Sequence, residues 1–570
     1  MSSEGHKKTD LGKLPESVVE FIKNVIQRMR YRRNVREEVQ AELAGHFEDE
    51  LKGCANDEER EEKCRQLIAG FGDVKLLAIL LRRAKKRCRP LWRTVIVRAF
   101  QTVGVLILCF ILYTIWFVSG KPTVRIDYLA ELNRMAQPQI SNEDNAWPHY
   151  ERAIKLFVKP SDELMEIPAF QDWRRPSYRS FEALSEHERQ EIGKWIQQNE
   201  AAWQQFVAGS LKTYCYRGYT KGKNDPLLAV VLPHLATLRD LLTVGIFHSR
   251  MQIAQDQTAQ ALDNCLAVVR GGSHWQGWGT IVEQLVGLAI SRAGYEEILY
   301  ISATEDVSGA DLKRLQQQLS EIYPSGYPLM DIEGERLVFH DVVQHIFTDG
   351  GPGGGHLIPK RLSFICEEII GGGYMDDMDG LVVGTAMGMI HARRYAAIAK
   401  YDQILDSQIE AAKMTPYERR AGKDLHDEEI LLASAKYRYA VVHLFMPALG
   451  RASAVAFRGR SLHEATVTIL AFKRWKLDKG GYPMSLDELV DVGYIEQVPM
   501  DPYSDKPLVY HSIGDDFTLY SLGENFTDDG GKVVDEGNDR RRWGTDEDGD
   551  RVFWPVLESE VKKEQSGRST

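Results

Sequence analysis

One uncharged stretch constrains this chain more than any other feature. Residues 99–119 read AFQTVGVLILCFILYTIWFVS, 21 residues without a charged side chain. A helix of about 20 apolar residues crosses the hydrocarbon core of a bilayer. Tyr113 and Trp116 lie near one end, where a membrane interface favours aromatic side chains. The alternative is a buried core helix, but such a helix usually shows a polar face and this one shows none. We therefore predict a transmembrane helix over residues 97–119.

The flanks of this stretch predict its direction. The preceding segment carries basic residues that no acidic residue interrupts: Arg82, Arg83, Lys85, Lys86, Arg87, Arg89 and Arg93. On the other side only Lys121 and Arg125 are basic nearby. Positive charge stays in the cytoplasm, so we expect a single-pass protein of the bacterial inner membrane with a cytoplasmic N-terminus and a periplasmic bulk. The stretch starts too far along the chain for a signal peptide, and the basic run is also suited to anionic lipid headgroups.

The net charge and the cysteine spacing limit the partners and metal sites expected for this chain. The chain has 570 residues and a net charge of −11, which argues against a nucleic-acid partner because phosphate binding needs a basic surface. The seven cysteines include no CxxC pair, so a zinc site of thiolates is not expected. Cys215, Cys265 and Cys366 lie on the predicted outer side and are widely spaced, and no disulfide framework follows from them.

Residues 16–93 show helical periodicity and predict a cytoplasmic helical module, after a polar segment 1–15 that we expect to be disordered. The predicted helices cover 16–30, 34–53, 57–71 and 74–86, the last with Asp73 as its cap. Three short stretches resemble the HAAS-like or permease-prefix family: REEVQAEL from Arg36, HFEDEL from His46 and GFGD from Gly70. That resemblance implies a role in protein interaction.

Residues 125–455 predict a large α-helical domain outside the membrane. The predicted helices are 186–207, 227–253, 256–269, 280–301, 311–322, 332–347, 386–413 and 427–445. Helical-hairpin repeats are one interpretation, and an irregular α-helical domain is the other, because no clean 34-residue period appears. Two glycine-rich segments, 349–356 and 371–380, are interpreted as flexible surface linkers. The first lacks the Lys-Ser/Thr of a phosphate-binding loop.

The best enzyme-like group in this region is Glu333, Glu335, His340, Asp341 and His345. His340 and His345 are five residues apart and do not share a helix face, unlike the i, i+4 pair of a zinc helix. Asp341 and His345 are suited to a structural pair. A metal-dependent hydrolase on the outer face is therefore only an alternative to the main interpretation.

The pattern changes near residue 461. The sequence predicts a small α+β domain over 461–556. Its elements are a helix over 462–476, a Gly-Gly-Tyr-Pro exit from Gly480, a short helix capped by Ser485, and two strands over 508–511 and 517–522. The blocks Gly481-Tyr482-Pro483, Pro499 to Pro502 and Tyr520-Ser521-Leu522-Gly523 resemble the globular domain of the major, G-type pseudopilin of type II secretion. The apolar N-terminal helix of that family is absent before residue 461, so we do not expect this chain to polymerise as a pilin.

The resemblance also implies calcium in the C-terminal loop. Ser521, Asn525, Asp528 and Asp529 are the matching oxygen donors, although Thr518 stands where the family has an aspartate. A second candidate calcium cluster is Asp546, Asp548 and Asp550, whose alternation suits the start of a calcium loop. Arg551 stands where the glycine of an EF-hand belongs, so a solvated turn before a strand at 551–554 is the alternative. The polar tail 557–570 is expected to be disordered.

We thus predict a mainly α protein: a cytoplasmic helical bundle, one transmembrane helix, a large extracytoplasmic α-helical domain and a small pseudopilin-like α+β domain. The expected function is a non-enzymatic scaffold or interaction protein, linked by resemblance to secretion or pilin-type subunits. The alternatives are a transmembrane sensor, whose outer domain binds a ligand or partner and signals to the cytoplasmic helices, and the hydrolase.

Overall fold

The chain is mainly helical in the computed structural model. The structure describes residues 11–87, 91–137, 141–174, 178–220, 226–227, 233–361, 377–421, 436–445, 447–531 and 549–556. Two compact units are present, residues 1–116 and residues 117–570.

The first unit contains four helices that match the predicted ones within a few residues: α1 (Glu16–Arg28), α2 (Arg33–Leu51), α3 (Asp57–Phe71) and α4 (Val74–Arg87). Asp73 caps α4, because its Oδ1 accepts from the backbone N–H of Lys75 at 2.7 Å. Phe21, Phe47 and Phe71 pack against each other in the core. Disorder was expected through residue 15, but Leu11–Lys13 form a 3₁₀ turn and Leu14 is buried in this core.

The helix α5 (Leu91–Val118) contains residues 99–118 of the uncharged stretch. Residues Val95–Val118 are long and apolar enough to cross a membrane, by length and composition, and none of this segment's most apolar window is buried. Its large apolar side chains from Val95 to Trp116 are open to the surroundings; Phe100, for example, is 72% exposed. A buried core helix, the alternative considered above, does not have this exposure.

The second unit is built mostly from helices. They are α6 (Tyr128–Ala136), α7 (Trp147–Leu156), α8 (Asp162–Glu166), α9 (Pro168–Gln171), α10 (Glu186–Gln198), α11 (Glu200–Ser210), α12 (Pro233–Ile253), α13 (Thr258–Ser273), α14 (Ile281–Thr304), α15 (Gly309–Ser320), α16 (Glu333–Ile346), α17 (Asp377–Ile390), α18 (Arg394–Lys413), α19 (Pro416–Ala421), α20 (Ala440–Phe445), α21 (Pro447–Lys479) and α22 (Leu486–Asp491).

Two predicted helices are each divided in the structure. The helix expected over 186–207 breaks at Asn199, whose buried amide Oδ1 accepts from Val158 N and whose Nδ2 donates to Val158 O. An asparagine side chain that binds backbone groups competes with the helix for them. The helix expected over 386–413 breaks before α18, where Ala392 N donates to Arg438 O and His391 Nδ1 donates to Ala392 O.

The C-terminal part combines α21 and α22 with a three-stranded antiparallel sheet in the order β1 (Val509–Ile513), β2 (Asp516–Ser521), β3 (Arg551–Trp554). The predicted hairpin at Gly514-Asp515 is present, since Ile513 pairs with Asp516 across the turn. Ser485 precedes α22, but its side chain makes no capping hydrogen bond, contrary to the prediction.

The boundary predicted between 455 and 461 lies inside the continuous helix α21. Residues of this helix and the sheet, such as Phe472 and Phe517, belong to one hydrophobic cluster with Leu262 of α13 and Leu315 of α15. The C-terminal α+β segment therefore shares its core with the helical region, and no linker separates them.

The first glycine-rich segment is not the flexible linker that composition predicted. Gly350 N donates to Gly354 O, and Thr348 N and His356 O form a further hydrogen bond that closes the loop. Gly355 has a φ of +128°, and a Cβ there would lie 1.9 Å from Thr348 O, so the turn requires glycine. In the second segment, residues 371–376 lie outside the described part.

Among the described cysteines, Cys54, Cys64, Cys109, Cys215 and Cys265 are free thiols, and Cys366 lies outside the described residues. Burial raises the pKa of the Cys215 thiol well above its ordinary value. A buried thiol with a raised pKa is a poor nucleophile.

Candidate functional site

The described residues that are predicted to bind calcium lie in one region, but they make different hydrogen bonds. Ser521 Oγ donates to Asp501 Oδ1 at 2.6 Å, and Asp501 Oδ2 accepts from Leu522 N at 3.0 Å. Asp501 is buried, and its hydrogen bonds hold the turn before β1 against the end of β2. Ser521 therefore has a structural partner that the sequence did not identify.

The acidic loop after β2 meets the segment before β3. The Asp550 carboxylate accepts from Gly531 N at 2.7 Å and from Asp529 N at 3.2 Å. Asn525 Nδ2 donates to Asp529 Oδ2 at 2.8 Å. Asp528 Oδ1 accepts from the hydroxyl of Tyr520 at 2.8 Å. One residue of the second predicted cluster thus joins the first cluster, whereas Asp546 and Asp548 lie outside the described residues.

Negative charge accumulates at this loop. Burial raises the pKa of Asp550, and the neighbouring charges of Asp528 and Asp529 raise it further, against the two backbone N–H groups that lower it. The donors are oxygens, which calcium prefers. However, within the described ranges no group of three or more His, Cys, Asp or Glu side chains is placed to hold a metal ion. Calcium binding here therefore stays a prediction.

The enzyme-like residues of α16 are engaged in ion pairs. Arg336 binds Glu333 at 2.6 Å and also pairs with Asp402 and Asp406 of α18. His340 Nε2 lies 2.8 Å from the same Asp402 carboxylate. These contacts join α16 to α18 along one side. Glu335 instead accepts from Ile281 N at 3.0 Å, and burial raises its pKa.

Residues on the other side of α16 form hydrogen bonds, one of them to the backbone of the segment that follows the apolar helix. Asp341 is buried and accepts from Leu227 N at 2.6 Å and from Gln344 Nε2 at 3.0 Å. Gln344 Nε2 also donates to Ile126 O at 2.8 Å. His345 Nδ1 donates to the backbone oxygen of Asp341 at 2.8 Å. The predicted pairing of Asp341 with His345 is present, with 3.3 Å between the side chains.

The end of α5 is held by residues that sequence patterns did not identify. The imidazole of His356 stacks on Phe117, with ring centroids 4.2 Å apart. His356 Nε2 donates to Phe117 O at 3.0 Å. A Cβ on Gly388 of α17 would lie 3.1 Å from the Phe117 ring, and one on Gly120 would lie 2.6 Å from Thr348 Cγ2. We call Phe117, Gly120, Thr348, His356 and Gly388 the exit contacts.

An exposed apolar patch lies on the C-terminal segment. Leu477, Met484 and Ile513 are 60%, 81% and 62% exposed, respectively. Two hydrogen bonds join the segments that carry them: Lys476 Nζ donates to Asp515 O, and Tyr510 Oη donates to Pro483 O. We call these three residues the C-terminal patch.

Comparisons with protein-family models, with curated proteins and with solved structures gave no match to this chain.

Proposed function

We propose that this chain is a single-pass membrane protein that acts as a non-enzymatic scaffold or interaction protein of the bacterial envelope. Residues 11–87 lie in the cytoplasm and the unit 117–570 lies outside it. One observation carries the proposal: the segment Val95–Val118 has a mean hydropathy of 2.4 over its most apolar window, and none of that window is buried. In water, such a surface is strongly unfavourable, whereas a bilayer solvates it.

The hydrogen bonds and ion pairs made by the polar residues of α16 favour a role in interaction over a role in catalysis. His340 is bound to Asp402, and Arg336 neutralises Glu333. The buried Asp341 is committed to a backbone N–H and to Gln344. Each of these groups has a partner that stabilises the fold, which supports a structural role for the enzyme-like group on α16.

The C-terminal patch is the surface that we assign to a protein partner. Large apolar side chains exposed together contribute strongly when they are buried at an interface. The resemblance to a pseudopilin globular domain supports pilin-type or secretion subunits as the partner class. Met484 and Ile513 are the most exposed members of the patch and the best positions for a test.

Crosslinking of the full-length protein in its native membrane, followed by mass spectrometry, tests this function. We expect pilin-type subunits crosslinked to residues 461–556, and loss of those crosslinks in the double variant Met484→Asp with Ile513→Asp. Met414→Asp, at a residue 45% exposed elsewhere in the unit, is the matched control and keeps them. Partners that persist in the double variant would contradict the assigned surface.

A second candidate function is a transmembrane sensor, which the separate core of the first unit favours. Val18, Val39, Phe47 and Cys64 are completely buried within that unit. A cytoplasmic body with its own core provides a surface for a regulator. The sensor predicts a cytoplasmic protein that crosslinks to residues 16–87 only when residues 117–570 are present, and equal crosslinking without them would contradict it.

A further inference from the structure

Helix α17 keeps apolar side chains exposed on one side. Residues 380–390 contain no charged side chain. On its inner side, Gly388 meets Phe117 and Gly384 meets Pro359. On its outer side, Ala386 is exposed, and Met389 and Ile390 are 36% and 59% exposed. Positions three and four residues apart share one face of a helix.

The exit contacts place this face next to Phe117, one residue before the end of the apolar segment. The chain contacts Gly388 and His356 at Phe117, and three residues later Gly120 contacts Thr348. Gly388 therefore lies beside the last turn of the apolar segment. That segment has 24 residues. At 1.5 Å per residue it is about 36 Å long, against about 30 Å of hydrocarbon core, so its last turn lies at headgroup depth.

Basic and aromatic residues adjoin α17 and its packing partner Pro359 in sequence. Lys360 and Arg361 are exposed immediately after Pro359, and Arg393 is exposed immediately after α17. Tyr395 is 63% exposed, and its ring lies against Gly354. Arginine, lysine and tyrosine beside apolar residues are typical of surfaces at a membrane interface. Anionic headgroups attract such basic residues.

We propose that Met389, Ile390, Lys360, Arg361, Arg393 and Tyr395 form a membrane-contacting face, which lies on the outer surface of the bilayer that α5 spans. This inference rests on the proposed single-pass function. The face inserts Met389 and Ile390 among the lipid headgroups and places its basic side chains on anionic lipid. The exit contacts hold it in this position, so the second unit is tied to the bilayer at two places.

Fluorescence quenching in vesicles tests the membrane-contacting face in the full chain. A dansyl-bearing amino acid replaces one residue at a time, and brominated lipid quenches only probes that touch the bilayer. The positions are Ile390 on the face, Ile107 within α5, and Leu211, an exposed apolar residue elsewhere in the unit, 65% exposed. The vesicles contain phosphatidylcholine, with or without phosphatidylglycerol.

We expect the probes at 107 and 390 to lose most of their fluorescence and the probe at 211 to keep it. Phosphatidylglycerol should increase quenching at 390, and Arg361→Glu should remove that increase, whereas Lys313→Glu, at another exposed position, should not. Quenching at 107 without quenching at 390 would overturn the membrane-contacting face and leave the span intact. No quenching at 107 would overturn the span itself, and the inference with it.

Discussion

His356 stacks on Phe117 at an interplanar angle of 21° and donates from Nε2 to its carbonyl oxygen at 3.0 Å. The carbonyl belongs to the last turn of α5, whose oxygens have no i+4 helical N–H. Gly120 N also donates to it, at 3.4 Å. The imidazole therefore acts as a cap for the apolar helix and holds it to the glycine-rich loop. Burial, with a further contribution from Arg393, lowers the pKa of His356, which favours the neutral form.

Replacing His356 tests this cap. His356→Ala removes two side-chain hydrogen bonds, to Phe117 O and Thr348 Oγ1, and one ring contact. We therefore expect the free energy of unfolding to fall by about 2–3 kcal/mol. Urea unfolding of the full chain in detergent measures the change. Proteolysis between residues 118 and 125 should also become faster. His187→Ala, at an exposed position, is the control. Equal stability and equal proteolysis in both variants would contradict the capping role.

The buried pair of Arg250 and Glu297 gives a second prediction. Both side chains are 3% exposed, and Arg250 binds both carboxylate oxygens, at 2.8 and 2.9 Å. Arg250→Met leaves an uncompensated buried charge, and we expect a loss of about 3–5 kcal/mol. The double variant Arg250→Met with Glu297→Met should recover much of this loss. Urea unfolding tests both, and a double variant as unstable as the single one would contradict the pairing argument.

His463 predicts a pH dependence of stability. Burial lowers its pKa from 6.5 to about 4, and its Nδ1 lies 2.8 Å from the hydroxyl of Tyr295. Between these pKa values the unfolded chain binds a proton that the folded chain does not, so stability falls as the pH drops. At pH 5 this one group costs about 2 kcal/mol relative to neutral pH.

The variant His463→Asn removes the titrating group and keeps an acceptor for Tyr295. The difference in unfolding free energy between wild type and variant should therefore change by about 2 kcal/mol between pH 7 and pH 5. His187→Asn serves as the exposed control and should follow the wild type. A constant difference between wild type and His463→Asn would show that His463 does not titrate in this way.

The acidic loop predicts a response to calcium. Burial, and then the charges of Asp528 and Asp529, raise the pKa of Asp550, so a bound cation should stabilise the loop. We expect millimolar calcium to raise the melting temperature relative to the chelator-treated protein. Asp528→Asn with Asp529→Asn should abolish this shift, and Asp487→Asn on α22 should retain it. The same shift in all three proteins would place the calcium effect elsewhere.

Local pattern predicted most helices and the hairpin at Gly514-Asp515, because apolar periodicity and turn residues act over a few positions. Local pattern does not predict contacts between residues that are distant in sequence. Phe117 and His356 are far apart in sequence, and the glycines of the loop between them were interpreted as a linker. Their positive φ angles instead allow a tight turn. The break at Asn199 was missed for a similar reason, since its partner is Val158.

The candidate site also depends on contacts that local sequence pattern does not predict. Residue type places Glu333 and His340 in the best enzyme-like group, and their partners Arg336 and Asp402 show a role in ion pairs. The acidic residues near the C-terminus were recognised as two clusters. Only the fold brings Asp550 against the backbone of Asp529 and Gly531.

We propose above all that α5 crosses a membrane, with residues 11–87 on the cytoplasmic side and residues 117–570 outside. Protease digestion of intact spheroplasts tests it most directly, in a protein that carries different epitope tags at its two ends. We predict loss of the C-terminal tag and survival of the N-terminal tag on a short membrane-bound fragment. Survival of the C-terminal tag, with or without loss of the N-terminal one, would contradict the account.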